Sequence, residues 1–316
     1  MQRPVAALTG GTGFLGRYLV RALDRAGFRV RLLARQDPVH PLLQPVALEL
    51  VPGDLFSDGA LDRLVAGAAV VIHAAGLIKA VNRAGFFRIN EAGSARLGQA
   101  VARCAPAARL LLVSSQAARE PTLSDYAASK HAGERAAIAA IGAGEWLVVR
   151  PPAIYGPWDR ETLALFKAAS GPLVPVPGGP EARIAMIEAT DCAAAVAALA
   201  RPGGPAGRVF ELADGNPAGY GWGEILDAAA AAVGRRAVRV PVPGPALAAL
   251  GLAGTAKAWA TRRPVMLTAG KVREIRHCDW SVAPTTLPPL SLWRPSSDIV
   301  KGFAAAVAWY RAEGWL

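Results

Sequence analysis

The chain has 316 residues, 53% of them hydrophobic and 19% charged, with a formal net charge of +11. This length can bury a substantial core, and the composition excludes a disordered chain while admitting a globular or membrane-associated one. The basic excess is nearly all arginine, scattered through an Ala/Gly/Pro-rich sequence without a basic repeat, stacking module or binding motif; it argues for a general attraction to anions and against a nucleic-acid partner.

No secretory signal is expected, because Met1-Gln2-Arg3-Pro4 runs directly into an apolar strand. Cys104, Cys192 and Cys278 are far apart and odd in number, which suits a reducing cytoplasm better than a disulfide framework. The four histidines, His40, His73, His131 and His277, lack metal-ligand spacing, so no metal site is expected; His73 is read as packed after the fourth strand.

The first element is the strand Val5-Ala6-Ala7-Leu8-Thr9. It enters Gly10-Gly11-Thr12-Gly13-Phe14-Leu15-Gly16, and the amphipathic run Tyr18 to Leu23 follows. Strand, glycine turn and helix in this order form a dinucleotide cradle: Gly10 permits the tight turn, Gly13 lets the backbone approach a pyrophosphate, and Gly16 allows close helix packing. The phosphates then meet a helix amino terminus, where free N–H groups favour negative charge.

The second strand, Arg29 to Ala34, ends at Arg35. An acid at this place would hold a ribose 2′-hydroxyl, whereas an arginine pairs with a 2′-phosphate, so NADP is expected over NAD; Asp37 keeps the NAD alternative open. The third strand, Ala47 to Val51, leads to Asp54-Leu55, where Asp54 either reaches the adenine or caps the next helix.

After the fourth strand, Val70 to His73, and the fifth, Arg109 to Val113, come Ser114 and Ser115 and then a helix opening with Asp125-Tyr126-Ala127-Ala128-Ser129-Lys130. Four residues apart on a helix means one face, so the Tyr126 hydroxyl and the Lys130 ammonium can serve one site. A phenol, with a reference pKa of about 10, becomes a usable proton shuttle when a nearby cation stabilises its phenolate. Ser115 is positioned to hydrogen-bond the reacting oxygen.

At these residues the chain resembles the extended branch of the short-chain dehydrogenase/reductase superfamily, the epimerase/dehydratase group. The resemblance rests on Thr9 to Gly16, Asp54-Leu55, His73-Ala74-Ala75-Gly76, Asn90, Ser115, Tyr126 with Lys130, and Arg150-Pro151-Pro152-Ala153-Ile154-Tyr155-Gly156-Pro157. It implies that Ala74, Ala75, Gly76 and Val113 border the cofactor and that Lys130 also holds the nicotinamide ribose. It further implies that the backbone at Pro151, Ala153 and Ile154 lies by the nicotinamide, and that Asn90 supports the catalytic helix or a proton relay. Ala153 departs from the asparagine usual in nucleotide-sugar enzymes, and the interval from Ser115 to Tyr126 is short. The Arg-Pro-Pro-x-x-Tyr-Gly-Pro form is closer to relatives acting on hydroxysteroids, dihydroflavonols and other lipophilic ketones.

The expected fold is α/β, a Rossmann-type doubly wound parallel sheet with a smaller C-terminal substrate cap. The sheet domain is expected over 1–160, with a return at about 189–215. The cap is expected over 161–188 and 216–290, and a C-terminal helix over 291–316. Within the cap, the uncharged run Val240 to Ala256 contains Pro241, Pro243 and Pro245 and falls short of the roughly 20 apolar residues that span a bilayer. The helix expected from Ala246 to Ala260 is apolar nearly all round before Arg262-Arg263. Periodicity leaves three readings open: buried core, the wall of a lipophilic pocket, or an element lying on an anionic membrane surface.

The expected activity is an NADP-dependent interconversion of a ketone and a secondary alcohol on a lipid-like small molecule. A sterol-like 3-keto compound or a bacterial 3-keto sphingoid lipid such as an oxidised ceramide fits this class. The alternatives are a nucleotide-sugar epimerase or dehydratase and a non-catalytic NADP-binding structural or sensor protein. The expected location is the cytoplasm, with peripheral contact at the inner membrane face left open and the oligomeric state unassigned.

Overall fold

Leucine- and valine-rich runs of four to six residues, too short for helices and, except at the edge strand Leu48–Pro52, largely buried on both faces, form a parallel sheet. The computed structural model describes residues 3–236 and 238–316. Its first elements are β1 (Val5–Thr9), α1 (Phe14–Arg25), β2 (Arg29–Ala34), β3 (Leu48–Pro52), α2 (Asp58–Val65) and β4 (Val70–His73). Then come α3 (Arg83–Phe87), a π-helical turn over Arg88–Ala92, α4 (Gly93–Cys104), β5 (Arg109–Val113), α5 (Asp125–Ile141) and β6 (Trp146–Arg150). The sheet order is β3-β2-β1-β4-β5-β6, parallel at each of these pairings, and the later strand at Arg208–Glu211 is added beyond β6. Strand order reverses beside β1, the switch point where open α/β sheets bind ligands at the carboxyl ends of their strands.

Register brings the site's first pair together. Thr9 is the partner of His73 across β1 and β4, so both side chains leave the strand ends on one face. On the helical side, α4 and α5 approach closely because their contact is built from small residues: a Cβ on Gly98 would lie 2.8 Å from the Ala137 carbonyl oxygen.

Contacts divide the chain into two units. The first holds 1–150, 193–210 and 288–293; its core includes Leu33, Leu61, Leu64, Leu97, Leu110 and Val148. The second holds 151–192, 211–287 and 294–316. It contains β7 (Ala153–Tyr155), α6 (Leu163–Ala169), β8 (Leu173–Val176), β9 (Arg183–Ile184) and β10 (Met186–Glu188). Helix α7 (Ala189–Leu199) and β11 (Arg208–Glu211) straddle the division. The second unit continues with α8 (Trp222–Ala232), β12 (Val238–Pro241), α9 (Gly244–Thr261), α10 (Ala269–Arg276), β13 (Asp279–Trp280) and α11 (Ile299–Ala312). Its core sets Tyr155 and Phe166 edge-on to Phe303, with ring centroids 4.8 and 4.9 Å apart.

The C-terminal helix starts at Ile299, later than the sequence suggests, because the Asp298 carboxylate caps it by accepting from the Lys301 amide at 2.8 Å. The residues before it are held elsewhere: the Asp191 carboxylate accepts from the Ser296 and Ser297 amides at 2.8 and 2.9 Å.

Candidate active site

At the end of β1 the chain turns on Gly10, whose φ of +77 lies in the left-handed region. Space is the second constraint. A Cβ on Gly10 would fall 2.5 Å from the Ala74 carbonyl carbon, and one on Gly16 would fall 2.7 Å from Gly11 Cα. The turn therefore presses on the end of β4, and α1 presses on the turn. Gly13 precedes α1 in an extended conformation, and no side chain caps that helix, so the amides of its first turn suit an anion. Thr12 is exposed and its carbonyl accepts from Arg17 Nε at 2.9 Å; Phe14 packs edge-on against Tyr18, and Leu15 is half-buried. These residues fit a dinucleotide pyrophosphate.

Arg35 is exposed immediately after β2. Asp54 is also exposed, and its Oδ1 accepts from the Phe56 amide at 2.9 Å and from the Ser57 hydroxyl at 3.0 Å. Of the two readings of Asp54, the observed bonds are those of a turn leading into α2. These bonds, the Phe56 amide first, hold its carboxyl below the usual range, and the charges of Arg35 and Arg88 add to the effect. Leu55 is buried in the first core and packs under Gly93, so only its backbone can face a ligand.

A chain of hydrogen bonds runs inward from the cradle. The Ser94 hydroxyl gives its single proton to the Asn90 carbonyl at 2.6 Å, so His73 Nε2 must donate to Ser94 Oγ at 2.9 Å. His73 Nδ1 then accepts from the Thr9 hydroxyl at 2.7 Å, and the Thr9 oxygen accepts from the Ala75 amide at 3.3 Å. Burial, reinforced by the charge of Lys130, pushes His73 down to about 3 and keeps the ring neutral.

Asn90 sits in the π-helical turn, buried, with its amide fully engaged. Its Oδ1 accepts from the Leu77 amide at 2.7 Å, and its Nδ2 donates to the Leu77 carbonyl at 3.0 Å and to Ser129 Oγ at 2.9 Å. Ser129 in turn donates to the Tyr126 carbonyl at 2.8 Å. Asn90 thus ties the loop after Gly76 to the first turn of α5. Gly133 makes room for this turn, since a Cβ there would strike the Asn90 carbonyl.

Helix α5 begins at Asp125 because Ser124 caps it, its side chain accepting from the Ala127 amide at 2.9 Å. Tyr126 and Lys130 stand one turn apart on it, both half-buried, with the Phe86 ring 6.0 Å from that of Tyr126. Lys130 Nζ donates to the Val113 carbonyl at the end of β5 at 3.0 Å. Burial pushes this ammonium down to about 8, opposed by the Glu134 carboxylate one turn on. Glu134 is itself held by Arg150 through two bonds of 2.9 and 2.7 Å. Ser115 is half-buried and caps the short 3-10 turn Gln116–Arg119, accepting from the Ala117 amide at 3.2 Å. A small cavity here is lined by His73, Asn90, Ser94, Ser114, Lys130 and Glu134 together with Leu112 and Val113. The buried Ser114 hydroxyl has no protein partner.

The remaining expected cofactor residues belong to the second unit. Pro151 is buried, Ala153 exposed and Ile154 half-buried, the last two on β7, which pairs in parallel with β10. Among the described residues no His/Cys/Asp/Glu group is suited to a metal. The sequence alone assigns no role to Ser94, Ser129, Glu134 or the Arg150 side chain. The i, i+4 spacing of Asn90 and Ser94 was the available clue; the pairing of Glu134 with Arg150 has no local signal.

Residues 6–213 match the NAD dependent epimerase/dehydratase family. Over 315 residues the chain is 47% identical to the ceramide reductase of Caulobacter vibrioides (strain NA1000 / CB15N), covering 99% of this chain and 96% of that one. It is also 32% identical over 230 residues to the 4-hydroxy-2-methyl-3-oxo-4-farnesyl-3,4-dihydroquinoline-1-oxide ketoreductase of Stigmatella aurantiaca, covering 66% and 68% of the two chains. The crystal structure of the Bordetella bronchiseptica enzyme WbmG in complex with NAD shares the fold, with a TM-score of 0.73 at 18% identity over 100% of this chain and 96% of that one. The family match spans more than half of the chain, glycine turn and Tyr126 helix included, and the protein belongs to the NAD dependent epimerase/dehydratase family.

Proposed function

We propose that this protein is an NADP-dependent oxidoreductase that interconverts a ketone and a secondary alcohol on a hydrophobic, lipid-like substrate, with a 3-keto sphingolipid as the first class to test. The observation that carries the chemistry is the Tyr126/Lys130 pair on α5, with Lys130 Nζ held at the end of β5. Identity to a ceramide reductase over nearly the full length directs the substrate.

The reduced nicotinamide, when bound, supplies the hydride. Tyr126 gives its phenolic proton to the substrate oxygen, and the positive charge of Lys130 stabilises the phenolate left behind. With its pKa at about 8, Lys130 keeps that charge at neutral pH. Ser115 donates its hydroxyl proton to the same oxygen while its Oγ goes on accepting from the Ala117 amide. Asn90 is a positioning residue: through Ser129 and Leu77 it holds the first turn of α5 and the loop after Gly76. Arg35 pairs with the 2′-phosphate, and the uncapped start of α1 takes the pyrophosphate.

The test is NADPH consumption with matched panels of lipid ketones and nucleotide sugars, with and without detergent micelles. Consumption confined to lipid ketones is expected. Turnover of a nucleotide sugar without net NADPH loss would instead make the protein an epimerase or dehydratase.

A further inference from the structure

Helix α9 has 18 residues and only three buried ones, Leu247, Gly251 and Ala258. Their spacings of four and seven make a single narrow stripe, which packs on α10: a Cβ on Gly251 would lie 2.7 Å from Val272 Cγ2 and 3.1 Å from Ala269 Cα. At about 100° per residue the opposite face carries Ala249, Leu252, Ala253, Ala256, Trp259 and Ala260. All six are exposed, Leu252 at 63% and Trp259 at 79%, with Leu250 at 55% on the margin. A helix in contact with water ordinarily places charged residues on this face. Here the single charge in the helix is Lys257, at one edge of this face as Trp259 is at the other. The strand that feeds the helix, β12, is exposed throughout, with Val238 at 64%; its register partner on β8, Leu173, is at 61%.

The charge pattern identifies the occupant. From 235 to 263 the sequence carries Arg235, Arg236, Arg239, Lys257, Arg262 and Arg263 and no aspartate or glutamate, although Arg239 is paired with Asp227 at 3.5 Å. Arg262 and Arg263 are exposed where the helix ends, Arg262 closing it in the left-handed conformation. A second copy of the chain would bring these same cations against one another across an isologous interface. An anionic bilayer offers them phosphates and offers Leu252 and Trp259 a headgroup and acyl boundary. No helix among the described residues is long and apolar enough to cross a membrane, so this one would lie along the surface.

We propose that α9 docks the protein on an anionic phospholipid bilayer, with Leu252 and Trp259 inserted and Arg262 and Arg263 at the headgroups. The inference rests on the lipid-substrate reading for its purpose, which is to bring the enzyme to where such a ketone resides.

The test is sedimentation of the full chain with vesicles of equal parts phosphatidylglycerol and phosphatidylcholine, compared with phosphatidylcholine alone. The chain should sediment with the anionic vesicles and remain in the supernatant with the neutral ones. Leu252→Glu or Trp259→Glu should weaken binding about tenfold or more. Arg262→Gln and Arg263→Gln should each weaken it about fivefold, and added salt should do the same. Reduction of a short water-soluble ketone, unchanged in every variant, establishes that each is folded. Equal binding to both vesicle types, or none to either, overturns the proposal. So does a dimer in gel filtration that Leu252→Glu converts to monomer without vesicle binding ever being seen. If no lipid ketone is reduced yet anionic vesicles still bind through α9, docking stands and the substrate reading fails.

Discussion

Replacing His73 by glutamine should flatten the pH dependence of stability. The wild-type ring is 4% exposed, neutral and pushed down to about 3, chiefly by burial and then by the Lys130 charge. In the unfolded chain a histidine titrates near 6.5. Between these two values the unfolded state binds a proton that the folded state refuses, so stability is full above about pH 6.5 and falls as the pH drops toward 3. At about pH 5, a distance of roughly 1.5 pH units from the unfolded value corresponds to a loss of ~2 kcal/mol relative to neutral pH. Glutamine can still donate to Ser94 and accept from Thr9, but it does not titrate. Urea unfolding at neutral pH and at about pH 5 should therefore show the two proteins differing by ~2 kcal/mol in their sensitivity to acid, whatever their stabilities at neutral pH. Parallel losses in wild type and His73→Gln would falsify both the neutral ring and the direction of the hydrogen bonds drawn through it.

Tyr126→Phe should bind NADPH normally while turnover falls on the order of 100-fold or more; single-turnover kinetics beside a cofactor titration would reveal it, and near-normal turnover removes Tyr126 from the chemistry. Arg35→Ala should weaken NADPH by roughly tenfold or more and leave NADH nearly unaffected, so equal losses in calorimetry would refute the 2′-phosphate assignment. Glu134→Ala removes the two charged hydrogen bonds that reach the Arg150 guanidinium from Glu134 and should cost about 2 kcal/mol in urea unfolding. Asp24→Ala breaks an ion pair with Arg3 whose members are 33% and 50% exposed while Arg3 keeps its bonds to the Asp24, Gly27 and Phe28 carbonyls, and should cost well under about 1 kcal/mol.

What was legible in the sequence was what local physics dictates. Gly10 must adopt a left-handed conformation, Tyr126 and Lys130 must share a helix face, and short apolar runs between helices must form a buried parallel sheet; each follows from a few adjacent residues. Asp54 was ambiguous because an exposed carboxylate serves a turn and a ligand equally well, and only the positions of the Phe56 amide and the Ser57 hydroxyl distinguish them. The π-helical turn at Arg88–Ala92 leaves no periodic mark, since one widened turn between α3 and α4 hardly disturbs the pattern of either. The hydrogen bonds through His73 depend on β4 lying beside β1, a pairing of residues far apart in the chain. Helix α9 shows the limit most clearly: a helix apolar on all sides does not specify which side finds a partner, and here the side of Leu247, Gly251, Gly254 and Ala258 does.

The aromatic core of the second unit also has a timetable. Tyr155 and Phe166 are made well before Phe303 and Tyr310, the rings of α11 that cover them. Chains are made from the amino terminus, so β1 to β6 can pair while these rings still wait for α11. During that interval they are apolar surface that a chaperone can recognise. A nascent chain arrested at Asp298 should accordingly be cut by protease within 151–287 and resist cleavage there once α11 has been added. Resistance before that point would mean that the early part of this core closes by itself. For the cell, the closing of this core in each molecule of the enzyme waits on α11.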